Sequence, residues 1–242
     1  MVLPLYLAVT AAEFAVCSSF PQNLAWMACH FSSYGAGLSN LPPRLPEDAM
    51  VILNDRTPIH GHDPDTILRQ LTQLRPHCLL LDFQRPEVRE TMELTQILAK
   101  ELPCPVGVSH FYGKDLTCPV FLPPVPPDVA PEEYLAPWQG REIWLEAALE
   151  GVTYTLTENG STTAPLLQPP QDGFLEESLY CHYKIEVNDT NAQIHLYRTP
   201  EDLQNLLKKA KNHGITKAVG LYQELQHINR RGRVLTLPLG QE

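Results

Sequence analysis

Three acidic residues stand directly after apolar runs: Asp55 after MVILN, Asp82 after CLLL and Glu146 after EIWL. A run such as Cys78–Leu81 has no polar face, which suits a parallel strand buried on both sides. In parallel α/β folds the C-terminal ends of such strands carry the ligand site. Asp82, Glu146 and Asp55 are therefore the candidate catalytic residues. Two carboxylates across a shared mouth can divide the roles of general acid and of base or nucleophile. Arg56, Gln84, Arg85, His110, Tyr222 and Gln223 also fall at apparent strand ends and are the candidate substrate-binding residues, with His30 on the same rim. Their planar bidentate groups suit sugar hydroxyls, each of which both donates and accepts hydrogen bonds. Structural roles compete with this reading. Asp82 with Arg85, and Asp55 with Arg56, also make sense as ion pairs that tie loops to the barrel top. His110 reads equally as a satisfied histidine under a loop.

The elements that must position these residues follow a repeat of apolar strand, polar lip and connection. Strands are expected at Leu3–Val9, Asn23–His30, Met50–Leu53, Cys78–Leu81, Pro105–Ser109, Pro119–Leu122 and Ile215–Leu221. Helices are expected at Pro64–Leu74, Glu87–Leu102 and Pro200–His213, the last capped by Thr199 and ended by Gly214. Thr10 and Glu13 read as a capping box opening a short helix that runs to Cys17. REIWLEA (141–147) is open between a seventh strand ending in Glu146 and a helix carrying Glu146 on its solvated face. The prolines of PPVPP (123–127) exclude helix there and predict an extended crossover. Glu158-Asn159-Gly160 between β-rich runs predicts one hairpin, and NDTN (188–191) a second. The expected architecture is α/β: a TIM-like (β/α)8 barrel with irregular or missing helices, spanning 1–242 as one unit, with an antiparallel β-hairpin insertion at 151–198.

The 242 residues and 43% hydrophobic content can fill a barrel core, and the formal charge of −10 argues against nucleic acid or an anionic membrane as partner. A small-molecule or carbohydrate ligand is expected; composition leaves the oligomeric state open. No apolar run reaches membrane-spanning length. The opening VLPLYLAVTAAEFAVC has no Lys or Arg ahead of it and is interrupted by Pro4 and Glu13, so it reads as a first strand rather than a signal peptide. Six scattered cysteines without a CxxC pair suggest neither a disulfide framework nor zinc, and point to a reducing cytoplasm. His60-Gly61-His62-Asp63 has metal-like composition, as in metal-dependent hydrolases with an HxH pair, but Asp63-Pro64 also forms a natural helix start. No metal or cofactor is assigned, and no phosphate-cradling, nucleophile-elbow or kinase motif is present. Trp26, Trp138 and Trp144 are expected in the core. Arg230, Arg231 and Arg233 form a solvated patch.

The run LLLDFQRPE resembles a degenerate form of the acidic fourth-strand motif of chitinase-like glycoside hydrolases. In that family alternating acids on this strand culminate in a glutamate acid. Here Asp82 matches one acid, Gln84 replaces the next, Pro86 stands at the glutamate position and Glu87 is one residue out of phase. The resemblance implies a TIM barrel with a carbohydrate at its mouth. The departures imply that any proton donor comes from elsewhere, with Glu146 or Asp55 as the first candidates.

Overall fold

The computed structural model describes residues 3–16, 23–42, 44–59, 61–86 and 88–226. His60, Glu87, Cys17 and the arginines of the tail lie outside the described residues. Eight parallel strands close into a barrel: β1 (Leu5–Val9), β2 (Leu24–Phe31), β4 (Met50–Asn54), β5 (Cys78–Asp82), β6 (Val106–Ser109), β7 (Val120–Leu122), β8 (Ile143–Glu146) and β14 (Ile215–Leu221), with β1 pairing both β14 and β2. Strand β3 (Leu38–Ser39) adds antiparallel to β2. Helices α1 (Ala11–Val16), α2 (Pro64–Leu74), α3 (Arg89–Glu101), α4 (Pro131–Leu135), α5 (Pro200–Ala210) and α6 (Tyr222–Leu225) accompany the strands. Among the described residues, no helix lies between β2 and β4 or between β6 and β7. None of the described helices is long and apolar enough to cross a membrane.

The strands read as apolar runs because both of their faces are covered. Residues of one parity fill the barrel interior: Tyr6, Ala8, Met50, Ile52, Cys78, Leu80, Phe121, Trp144 and Val219 pack together there. Their neighbours of opposite parity, such as Leu53, Leu79, Leu81 and Val108, pack outward beneath α2 and α3. Leu145, Ala147 and Ala218 do the same beneath α4 and α5. Trp144 is the largest interior plug and is 0% exposed. It fits because β6 offers Gly107 opposite, where a Cβ would come within 2.2 Å of the indole ring. The three tryptophans thus serve packing, with Trp26 buried and Trp138 partly buried against the outer cluster.

REIWLEA resolves as strand, since β14 and β7 flank it on both edges. The helical pattern of its charges is overridden by that pairing. PPVPP contains no helix; α4 and a 3₁₀ turn (Ala136–Trp138) follow it before β8. The capping box at Thr10 and Glu13 forms, with reciprocal bonds of 2.7 and 3.2 Å. Helix α5 stops at Ala210, and a 3₁₀ turn carries the chain to Gly214 at φ 89°.

The insertion is more than two hairpins. Strands β9 (Gly151–Thr157), β10 (Gly160–Pro165), β11 (Phe174–Glu176), β12 (Cys181–Val187) and β13 (Asn191–Tyr197) form one five-stranded antiparallel sheet, because β13 pairs with β9 and joins the hairpins. The buried guanidinium of Arg198 ties this sheet to the barrel by donating to the carbonyls of Val125, Pro126, Leu179 and Tyr180. Asp202, in the first turn of α5, accepts from Thr199 N at 2.8 Å and lies 2.8 Å from His182 Nδ1. Thr199→Ala removes the cap of α5 and is expected to cost about 1 kcal/mol, read as a lowered midpoint in urea.

Candidate active site

The interior parity that fills the barrel also builds its mouth. Two residues beyond Ile52, Leu80, Trp144 and Val219 lie Asn54, Asp82, Glu146 and Leu221, and two residues beyond Ala8 lies Thr10. All of them line one cavity of about 560 Å³, floored by Ala8, Ile52, Leu80, Phe121 and Val219. His30, Arg56 and Gln84 complete its polar wall. Asn54 bridges the bulge in β2, donating to Met27 O and Cys29 O at 3.3 and 3.1 Å.

Asp82 ends the fourth barrel strand and Glu146 the seventh, so the two carboxyls reach the mouth from different sides. Burial pushes both up from the usual carboxylate range. For Asp82, a hydrogen bond from Gln84 Nε2 opposes the rise, and the Asp55 charge adds to it. Among the described residues no such donor is found for Glu146. Burial first, then the charges of Asp82, Glu150 and Glu224, push it up to about 7. The repulsion between Asp82 and Glu146 falls on Glu146, as it must when Asp82 ionises first and Glu146 is still neutral. The mouth therefore holds two raised carboxyls, and Glu146 is carried into the neutral range.

The remaining expected site residues divide by the same parity. Asp55, Arg85 and His110 fall on the outward phase. Asp55 borders the cavity, but its oxygens accept from Gln84 N and Arg85 N. Arg85 lies outside the cavity lining, donating to Asp55 O and Arg56 O at 2.7 Å each. The anticipated ion pairs, Asp82 with Arg85 and Asp55 with Arg56, are thus replaced by a crossed arrangement in which Asp55 and Arg85 grip each other's backbone. His110 stacks on Phe111 with ring centres 4.0 Å apart, away from the cavity lining. Burial, with some help from Lys114, pulls His110 below the usual imidazole range. Tyr222 and Gln223 lie beyond the end of β14 in α6, and Tyr222 packs against the outer clusters. Thr10, Asn54 and Leu221 are lining residues that strand-end reasoning passed over; counting by twos from the interior residues finds them.

The HGHD motif serves the fold in its described members. Both ring nitrogens of His62 lie against carbonyl oxygens, of Ile59 and, at 2.9 Å, of Ser32. Asp63 caps α2 through Thr66 N at 3.1 Å. Among the described residues no group of three or more His, Cys, Asp or Glu is arranged to hold a metal ion.

No family model matches the sequence, and no curated protein matches it. Solved structures do. The spore cortex-lytic enzyme SleL of Bacillus cereus superposes with a TM-score of 0.53 at 12% identity, over 90% of this chain and 70% of that one. A chitinase from Chromobacterium violaceum superposes at 0.51 with 11% identity, over 90% and 93% of the two chains. A GH18 chitinase from Cycas revoluta in complex with (GlcNAc)3 superposes at 0.50 with 11% identity, over 93% and 97%. At these identities the likeness establishes a shared TIM-like barrel fold and a weak resemblance to chitinase-like barrels.

Proposed function

We propose that this chain binds an oligosaccharide of the N-acetylglucosamine type at its barrel mouth and hydrolyses a glycosidic bond there. One observation carries the reading: Asp82 and Glu146 share a single cavity, and burial raises both, carrying Glu146 as far as about 7. Two carboxyls with separated titrations are what acid–base cleavage of a glycoside needs. Glu146 supplies the proton to the leaving oxygen. Asp82, steadied by Gln84, supplies the negative charge that stabilises the oxocarbenium-like centre or activates water. Arg56, His30 and Asn54 offer donors and acceptors to sugar hydroxyls. The cavity's volume falls within the range of sites for small ligands. The shared fold with barrels whose structures include a chitooligosaccharide complex supports this ligand class.

A second reading rests on Gln84 and Pro86, which stand where the resembling motif carries acids. It makes the chain a binding module that holds the same ligand without turning it over. Calorimetry with chitooligosaccharides, run alongside product analysis by mass spectrometry, separates the two. Binding with cleavage at pH 5–7, where Glu146 keeps at least about half its proton, supports the first; binding with an intact ligand supports the second. Neither binding nor cleavage overturns both.

A further inference from the structure

The loop that follows β5 is held at every residue from Phe83 to Pro86. Ser109 Oγ donates to Phe83 O at 2.7 Å, and the Tyr112 hydroxyl lies 3.1 Å from Arg85 O and 3.0 Å from Pro86 O. Between these anchors sits Asp55, 7% exposed, on the neighbouring strand end. Its Oδ1 accepts from Gln84 N at 3.2 Å and its Oδ2 from Arg85 N at 2.8 Å. Arg85 returns the contact through Nε to Asp55 O. A carboxylate is suited to this place because two equivalent acceptors match two successive N–H donors, with charge strengthening both bonds. An amide there would offer one acceptor and set an NH2 group against an N–H. The free end of the clamped residue is the Gln84 side chain, and its Nε2 donates to Asp82 Oδ1.

We propose that Asp55 is a positioning residue: through the backbone of Gln84 it holds that side chain on the Asp82 carboxylate, and so sets how Asp82 faces the mouth. The proposal rests on the reading of Asp82 as part of the site's chemistry, and it moves Asp55 from the reacting groups to the frame that aims one of them. Asp55 acts on Asp82 in two ways of opposite sign. Its charge makes Asp82 harder to ionise, whereas the Gln84 bond it maintains makes Asp82 easier to ionise and is the larger influence.

Carboxyl-carbon NMR titration of Asp82 in the intact protein reads this sign directly. Asp55→Asn is expected to raise the Asp82 midpoint by roughly half a pH unit or more, as lost hydrogen bonding outweighs the removed charge. Asp55→Glu keeps the charge but displaces the acceptors, and a rise is expected there too. Gln84→Ala loses the same bond but keeps the Asp55 charge, so a somewhat larger rise is expected, and the double variant should match Asp55→Asn alone. A fall or an unchanged midpoint in Asp55→Asn, or additive effects in the double variant, overturns the proposal. Should the Asp55 variants fail to fold, amide hydrogen exchange in the intact wild type decides: the Gln84 and Arg85 N–H groups that the Asp55 carboxylate holds are expected to be protected, and exchange at the rate of an unstructured chain overturns the proposal. The titration needs no turnover. Absence of binding and hydrolysis in the wild type therefore defeats the proposed function without touching this result.

Discussion

Glu146→Gln is expected to lower chitooligosaccharide hydrolysis by roughly a thousandfold, with KM little changed, because it removes the proton donor and keeps the shape of the side chain. The same substitution has a stability signature that does not depend on turnover. The folded-state value of Glu146, about 7, lies above that of the unfolded chain. Stability linked to this carboxyl is thus fully present below about pH 4 and is lost as pH rises through 7. Glutamine cannot ionise, so the variant should escape that loss and melt above the wild type at pH 8, while the two melt alike at pH 4. Scanning calorimetry at the two pH values checks the second result, and initial rates check the first. A variant that retains wild-type rates shows that the proton comes from another group.

Asp82→Asn is expected to cost roughly a hundredfold or more in rate and, more diagnostically, to move the alkaline side of the pH–rate profile. The amide that replaces the carboxylate still offers an oxygen to Gln84 Nε2, so the substitution chiefly removes charge. That charge is the largest of the neighbouring carboxylates' contributions holding Glu146 up. With it gone, Glu146 loses its proton at lower pH, and the descending limb of the profile should shift below the wild-type position near 7. Carboxyl NMR of Glu146 gives the same shift in the absence of substrate. An unmoved limb and an unmoved titration would mean that the two carboxyls do not sense each other across the mouth.

The barrel was legible in the sequence because its strands are covered on both faces and so read as unbroken apolar runs. Asp82 and Glu146 were reachable because each follows such a run. The parity of side chains inside those runs carried the finer information. An apolar residue pointing into the barrel looks the same as one pointing out toward a helix, so Leu80 and Leu81 give no hint of phase. Once Leu80 and Trp144 are seen inside, Asp82 and Glu146 must point into the mouth, whereas Arg85, of the opposite phase, turns to the Asp55 backbone. Tyr222 and Gln223 do follow the strand that ends at Leu221, but they open a helix there. Apolar character continues to Leu221 and the chain then coils into α6; Gly220 marks the place, since a Cβ there would meet Leu225 of α6 and the Ala147 carbonyl, both at 2.3 Å. The joining of the two hairpins was not legible because it depends on β13 meeting β9 across more than thirty residues, and local pattern carries no record of such partners.

The plugged interior has one more consequence. With Trp144 seated opposite Gly107 and the layer from Tyr6 to Phe121 filled, the barrel is a cup with a solid bottom rather than a tube. A polymer cannot thread through it, so entry and exit share one doorway. Whatever is released must vacate the same space that the next guest needs. A short end product is thus expected to act as a competitive inhibitor, and its departure to set the pace whenever bond breaking is fast.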